Sequence, residues 1–177
     1  PFMRDATKYA MFCSAVGRLL ADFDPPSLIH LHDWHAATLL LLRELHPSFS
    51  HLKGIRTSYT IHNLAIQGTR PMRVHESSVE SWFPELFTDT SWLTEWKDPR
   101  YKDACYTPML AGIEHADAVN TVSPTYAGEI LLPSDHPHGY YGGEGLEKIL
   151  QQAKKERRLF GILNGCDYPE NRMSKFS

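Results

Sequence analysis

Ser27-Leu28-Ile29-His30-Leu31-His32-Asp33-Trp34-His35 changes character in mid-course, and the architecture follows from that change. Its first six residues have no helical period and lie between Pro25-Pro26 and Asp33-Trp34, as a buried β-strand does. From residue 35 to 45 the chain is apolar and rich in good helix formers, and it stops at His46-Pro47, because the residue before a proline is pushed out of the helical region. A buried strand followed at once by a helix is the repeating unit of a parallel sheet.

Reading outward, Tyr9, Phe12, Cys13, Val16, Leu19 and Leu20 recur at helical spacing, which predicts a helix from residue 6 to about 21, ended by Asp24-Pro25-Pro26. Downstream, Thr57-Ser58-Tyr59-Thr60-Ile61 reads as a second strand that runs into His62-Asn63. From Gln67 to about Lys102 prolines and tryptophans occur without a sustained period, so this part is expected to be long loops with short helices. The alternation resumes with a helix over 107–115, a strand over 116–121, and a helix opened by Ser123-Pro124 in the cap-then-proline manner. A loop over 133–145, an amphipathic helix over 146–158, and a strand over 159–163 that turns at Asn164-Gly165 complete the pattern. The expected fold class is therefore α/β: one domain over residues 1–177 with an open, mostly parallel Rossmann-like sheet and helices on both faces.

Composition limits the function classes. With 177 residues, 42% hydrophobic and 22% charged, the chain can bury a core and is not a disordered segment. The balance of 18 basic against 21 acidic residues gives −3 with no basic block, which argues against nucleic acid as a partner. No run approaches the roughly 18 apolar residues of a membrane span, so no membrane partner is expected. Cys13, Cys105 and Cys166 are far apart and form no Cys-x-x-Cys pair, so neither a disulfide framework nor a zinc knuckle is indicated and a cytoplasmic setting is the simplest. Pro1-Phe2-Met3-Arg4 has no initiator methionine and passes straight into the first helix, so a chain cut from something longer is expected.

In open parallel sheets ligands bind at the C-terminal ends of the strands. That rule selects His32-Asp33-Trp34-His35, His62-Asn63 and Asn164-Gly165. Each could merely satisfy loop backbone, and for Asn164-Gly165 alone a turn explains the residues. Two strand ends that each deliver a histidine with a hydrogen-bonding neighbour point to convergence on one polar substrate. A metal site on His30, His32 and His35 is the competing reading, because three imidazoles and a carboxylate fall within six residues. Its spacing is wrong for the His-x-His-x-Asp-His pattern, since Asp33 precedes the spacer. The glycine-rich segment 139–145 follows no strand and lacks a P-loop lysine, so no phosphate cradle and no cofactor is expected.

Four segments together resemble the bacterial glycogen synthases and plant starch synthases, retaining glucosyltransferases of α-1,4-glucan synthesis. They are His30-Leu31-His32-Asp33-Trp34-His35-Ala36, Thr60-Ile61-His62-Asn63-Leu64-Ala65-Ile66-Gln67-Gly68, Asn120-Thr121-Val122-Ser123-Pro124-Thr125-Tyr126-Ala127, and Gly143-Glu144-Gly145-Leu146 leading to Leu163-Asn164-Gly165-Cys166-Asp167. The resemblance implies a GT-B type N-terminal catalytic domain, with Asp33 and His62 beside the transferred glucosyl unit and Asn63, Gln67 and Asn164 as substrate-binding residues. It implies a nucleotide-sugar donor, with ADP-glucose the expected one, and an α-glucan acceptor. Departures are the missing Lys-x-Gly-Gly-Leu loop, Leu110 where many members have lysine, and Ile66 where tyrosine is common. The second domain, which holds the donor diphosphate in the family, is not in this sequence, so the chain is expected to be an internal piece of the first domain, inactive in isolation. An exposed sheet edge would then favour self-association. A non-catalytic sugar-binding module of the same fold, or a metal-dependent hydrolase on His30, His32 and His35, are the alternatives.

Overall fold

The computed structural model describes residues 2–165. Chain order runs α1 (Phe2–Leu19), β1 (Leu28–His32), α2 (Asp33–Leu45) and β2 (Arg56–Ile61). A middle section follows with β3 (Arg70–Pro71), α3 (Val79–Trp82), α4 (Leu93–Trp96) and β4 (Cys105–Tyr106). Then come α5 (Pro108–His115), β5 (Ala118–Thr121), α6 (Pro124–Glu129), α7 (Glu147–Lys155) and β6 (Leu159–Gly161). The last expected strand is shorter than read, and Cys166 and Asp167 lie outside the described residues.

β1, β2, β5 and β6 form one four-stranded parallel sheet in that spatial order. Spatial order equals chain order, so right-handed crossovers carry every connecting helix to the same side. Accordingly α1 packs on α2, α2 on α5, and α5 on α7. The expected parallel sheet with its helices is present, and among the described residues these four helices lie on one face of it. The other face shows Leu28 at 51% and Phe160 at 48% exposure, with His30, Ser58 and Asn120 between them along the paired register. Propensity and period locate strands and helices but not spatial strand order, and spatial order decides which face a crossover covers.

The covered face is the core. Leu40, Leu41 and Leu42 of α2 are fully buried, each contributing roughly 1.5–3 kcal/mol. Tyr59 of β2 is buried too: its ring occupies the space a side chain at position 112 would need, which is why α5 carries Gly112. At the N-terminal end of the sheet, buried Arg43 donates to Thr57 Oγ1 (3.2 Å) and to the His115 carbonyl (2.9 Å), while Asp117 Oδ2 accepts from Thr57 N (2.7 Å). This polar clamp leaves the C-terminal end as the open one. In the middle section β3 and β4 form a two-residue antiparallel pair that periodicity did not predict.

Candidate functional site

α2 starts at Asp33 with no loop after β1, and the sharp turn puts Asp33 at φ 51°. A left-handed non-glycine residue costs on the order of 1–3 kcal/mol and persists where its surroundings hold it. Here Asp33 Oδ1 accepts from the backbone N–H of His62 (2.8 Å) and of Asn63 (3.4 Å), tying the end of β1 to the end of β2. A carboxylate in the first turn of α2 also suits the positive end of the helix dipole.

His62 follows β2, and its Nε2 lies 2.9 Å from Nδ1 of His32, with the two rings stacked at 28°. Asn63 Oδ1 accepts from Ala65 N (2.8 Å), which folds the loop beyond it into an Asx turn. His32, His62 and Asn63 are exposed and Asp33 half-buried, so the side chains at the two strand ends open to solvent. Partial burial, reinforced by His30 and His62 and opposed by Asp33, holds the His32 imidazole below the usual histidine range. Trp34 turns inward and is buried beneath Gly68, whose φ of +78° and missing side chain accommodate the indole. The two strand-end motifs are thus packed on one another.

His35 points elsewhere. Its ring lies 4.5 Å from that of Tyr9 and 4.2 Å from that of Trp34, whereas His30 and His32 lie 4.2 Å apart on the strand. The hydrolase alternative needs His30, His32 and His35 around one ion, and that grouping is not assembled. Among the described residues no group of three or more potential ligands is placed to hold a metal.

Three clefts surround the 63–69 loop. One of about 390 Å³ is lined by Asp5, Tyr9, Asp33, Trp34, His35, Asn63 and Ile66. A second of about 360 Å³ has His62, Asn63, Tyr126, Tyr141 and Glu144 in its wall. The third, about 400 Å³, includes Gln67, Arg100, Tyr101 and Glu144. A larger cavity of about 630 Å³ lies between α1 and Glu76-Ser77, away from the strand ends, and brings none of the candidate residues together.

Gln67 is engaged at both ends of its amide: Nε2 donates to the Glu144 carbonyl (2.9 Å) and Oε1 accepts from Arg100 Nη2 (2.7 Å). Arg100 is itself clamped on Asp98, whose side chain is 0% exposed, by a 2.6 Å ion pair. Gln67 therefore braces the loops here. Asn164 is exposed beyond the C-terminal end of β6, two strands away from β2, whose C-terminal end His62 follows. Tyr126, Tyr141, Glu144 and Arg100 were not picked out from sequence. Tyr126 sits inside a quoted segment, and its hydroxyl accepts from Leu64 N (3.3 Å), a pairing across 62 residues that no local pattern signals.

Fold and site define the class: a Rossmann-like α/β domain of GT-B type with polar side chains gathered where parallel strands end. The chain belongs to the starch synthase catalytic domain family, whose profile matches residues 1–152. It is 36% identical over 173 residues to a glycogen synthase of Clostridioides difficile, covering 97% of this chain and 32% of that protein. A glycogen synthase of Clostridium novyi is 37% identical, with 97% and 33% covered. Among solved structures, the catalytic domain of starch synthase IV from Arabidopsis thaliana bound to ADP and acarbose is similar, with a TM-score of 0.71 and 28% identity, over 93% of this chain and 30% of that one. The chain thus spans about a third of the length of the curated relatives it matches.

Proposed function

We propose that this chain is the sugar-facing part of a glycogen or starch synthase, transferring glucose from a nucleotide sugar to the non-reducing end of an α-1,4-glucan with retention. The observation that carries the reading is the strand-end junction, where Asp33 grips the main chain of His62 while the His62 and Asn63 side chains stand in open clefts. Family membership supports the reaction class, and the ADP in the solved relative supports ADP-glucose as donor.

Retaining transfer passes through an oxocarbenium-like state as the nucleotide diphosphate leaves. Hydrogen-bond partners that are already oriented stabilise such a state without reorganising. His62 would hold a sugar hydroxyl through one ring nitrogen. Asp33 Oδ1 is committed to backbone amides, so its charge acts by field and through its second oxygen. Asn63 offers its Nδ2 amide, and Asn164 would line the same edge. In our reading Gln67 shapes the cleft from behind. The donor diphosphate would be held by the second domain of the enzyme, in a reducing cytoplasm where Cys13 and Cys105 stay free thiols.

Steady-state kinetics on a synthase that contains this chain tests the reading. His62→Ala is expected to lower kcat by about two to three orders of magnitude, roughly 3–4 kcal/mol, with donor affinity nearly unchanged. A raised KM with unchanged kcat would reduce His62 to a binding residue and sink the mechanism.

A further inference from the structure

His32 and His62 meet side chain to side chain, Nδ1 to Nε2, at 2.9 Å. A neutral imidazole has one N–H and one lone pair, so a bond at this distance requires complementary tautomers: one ring donates, the other accepts. With its Nε2 committed to His32, His62 has only Nδ1 left for a ligand. Its backbone N–H is held by Asp33 at 2.8 Å. His32 at the end of β1 and Asp33 at the start of α2 thus fix the ring and the main chain of His62.

His32 is in turn confined. Its ring lies 4.2 Å from that of His30, on the same face of β1. His30 is anchored at its far end, with Nε2 2.7 Å from Thr60 Oγ1, while the Thr60 hydroxyl donates to Asn120 Oδ1 at 2.8 Å. A hydroxyl has one proton, so Thr60 accepts from His30 and His30 carries its proton on Nε2. The chain Asn120–Thr60–His30 makes a fixed wall behind His32.

We propose that His32 is a positioning residue, whose Nδ1 bond to His62 Nε2 sets the tautomer and orientation of the His62 ring and leaves Nδ1 of His62 as the ligand-facing atom. Its relevance to transfer rests on the reading of His62 as a glucosyl contact. Histidine tautomers are commonly fixed by the partner of the second ring nitrogen, and here that partner is another histidine.

The test is nuclear magnetic resonance on this chain with ¹⁵N-labelled histidine, at about pH 8, above the ordinary histidine pKa of about 6.5. The wild type should show a ¹⁵N–¹⁵N coupling between His32 and His62 across the hydrogen bond, and one His62 tautomer. In His32→Phe the His62 nitrogen shifts should move to averaged values. In His32→Asn, whose amide can occupy the place of Nδ1, the single tautomer should return, a rescue that a merely packing role would not produce. Absence of the coupling in wild type, or an unchanged His62 tautomer in His32→Phe, overturns the proposal, and the wild-type coupling decides even if the Phe variant fails to fold. Titration with maltotetraose separates the two readings: a locked His62 that no sugar perturbs supports the histidine pair and counts against the glucosyl site.

Discussion

At Asp33 a strained backbone and two hydrogen bonds balance, and substitutions separate them. Asparagine keeps an oxygen acceptor for His62 N and Asn63 N and tolerates the left-handed region, so Asp33→Asn is expected to change unfolding free energy by about 0.5 kcal/mol or less. Alanine keeps neither property, and Asp33→Ala should cost about 2 kcal/mol, read as a lower urea midpoint at unchanged slope. On the proposed reading Asp33→Asn should nevertheless lower kcat in a synthase containing the chain, measured by steady-state kinetics, because it removes the negative charge at the strand-end junction. Gly68→Ala should be worse for folding than either, since its side chain would enter the Trp34 indole at a φ of +78°. The placement of Asp33 and His62 at strand ends was legible in sequence, because period and punctuation mark where β1 and β2 stop. The pairing of His32 with His62 was not, because it depends on β1 lying beside β2 in register His32 to Thr60.

Between elements, the loops around the site are joined by one polar brace. Asp98 Oδ2 accepts from Arg100 Nη2 (2.6 Å) and from Thr107 Oγ1 (2.6 Å), and Arg100 passes on to Gln67. Burial alone would raise the Asp98 carboxyl, but the hydrogen bonds from Arg100 and Thr107 outweigh it and hold the group below the usual carboxylate range. A carboxylate depressed in the folded state contributes stability above its unfolded pKa of about 3.9 and loses it as pH falls through the folded value. Arg100→Ala leaves Asp98 buried without its cation, at a cost of about 3 kcal/mol, and should raise the midpoint of acid unfolding, followed by circular dichroism. An unchanged acid midpoint would show that Thr107 and water hold Asp98 without the guanidinium. The regular elements were readable from period and punctuation, as the Ser123-Pro124 cap illustrates, with Ser123 Oγ accepting from Tyr126 N at 3.0 Å. The brace was not, because Gln67, Asp98 and Arg100 lie in the section without period and their partners Thr107 and Glu144 are far from them in sequence. Nor was the packing of α1 on α2, α2 on α5 and α5 on α7, which follows from spatial strand order and crossover handedness.

At the scale of the molecule, among the described residues the sheet face opposite α1, α2, α5 and α7 and the outer edges of β1 and β6 leave apolar groups and strand backbone open to water. The chain is expected to self-associate as its concentration rises, which sedimentation velocity would detect; a single monomeric boundary throughout would refute this. The same openness governs activity. His62 and Asn63 are exposed, so water competes for the hydrogen bonds that, on the proposed reading, they would make to the sugar. Among the described residues Arg100, the cation in the wall of the site's clefts, is already bound to Asp98 and Gln67. Transfer from a nucleotide sugar also needs the charge on the departing diphosphate to be stabilised. The 177-residue chain alone is therefore expected to transfer no glucose from ADP-glucose to a maltooligosaccharide, measured with radiolabelled donor. Measurable turnover would mean that the strand-end residues suffice without a second set of cations, and the division of labour between sugar site and phosphate site would have to be abandoned.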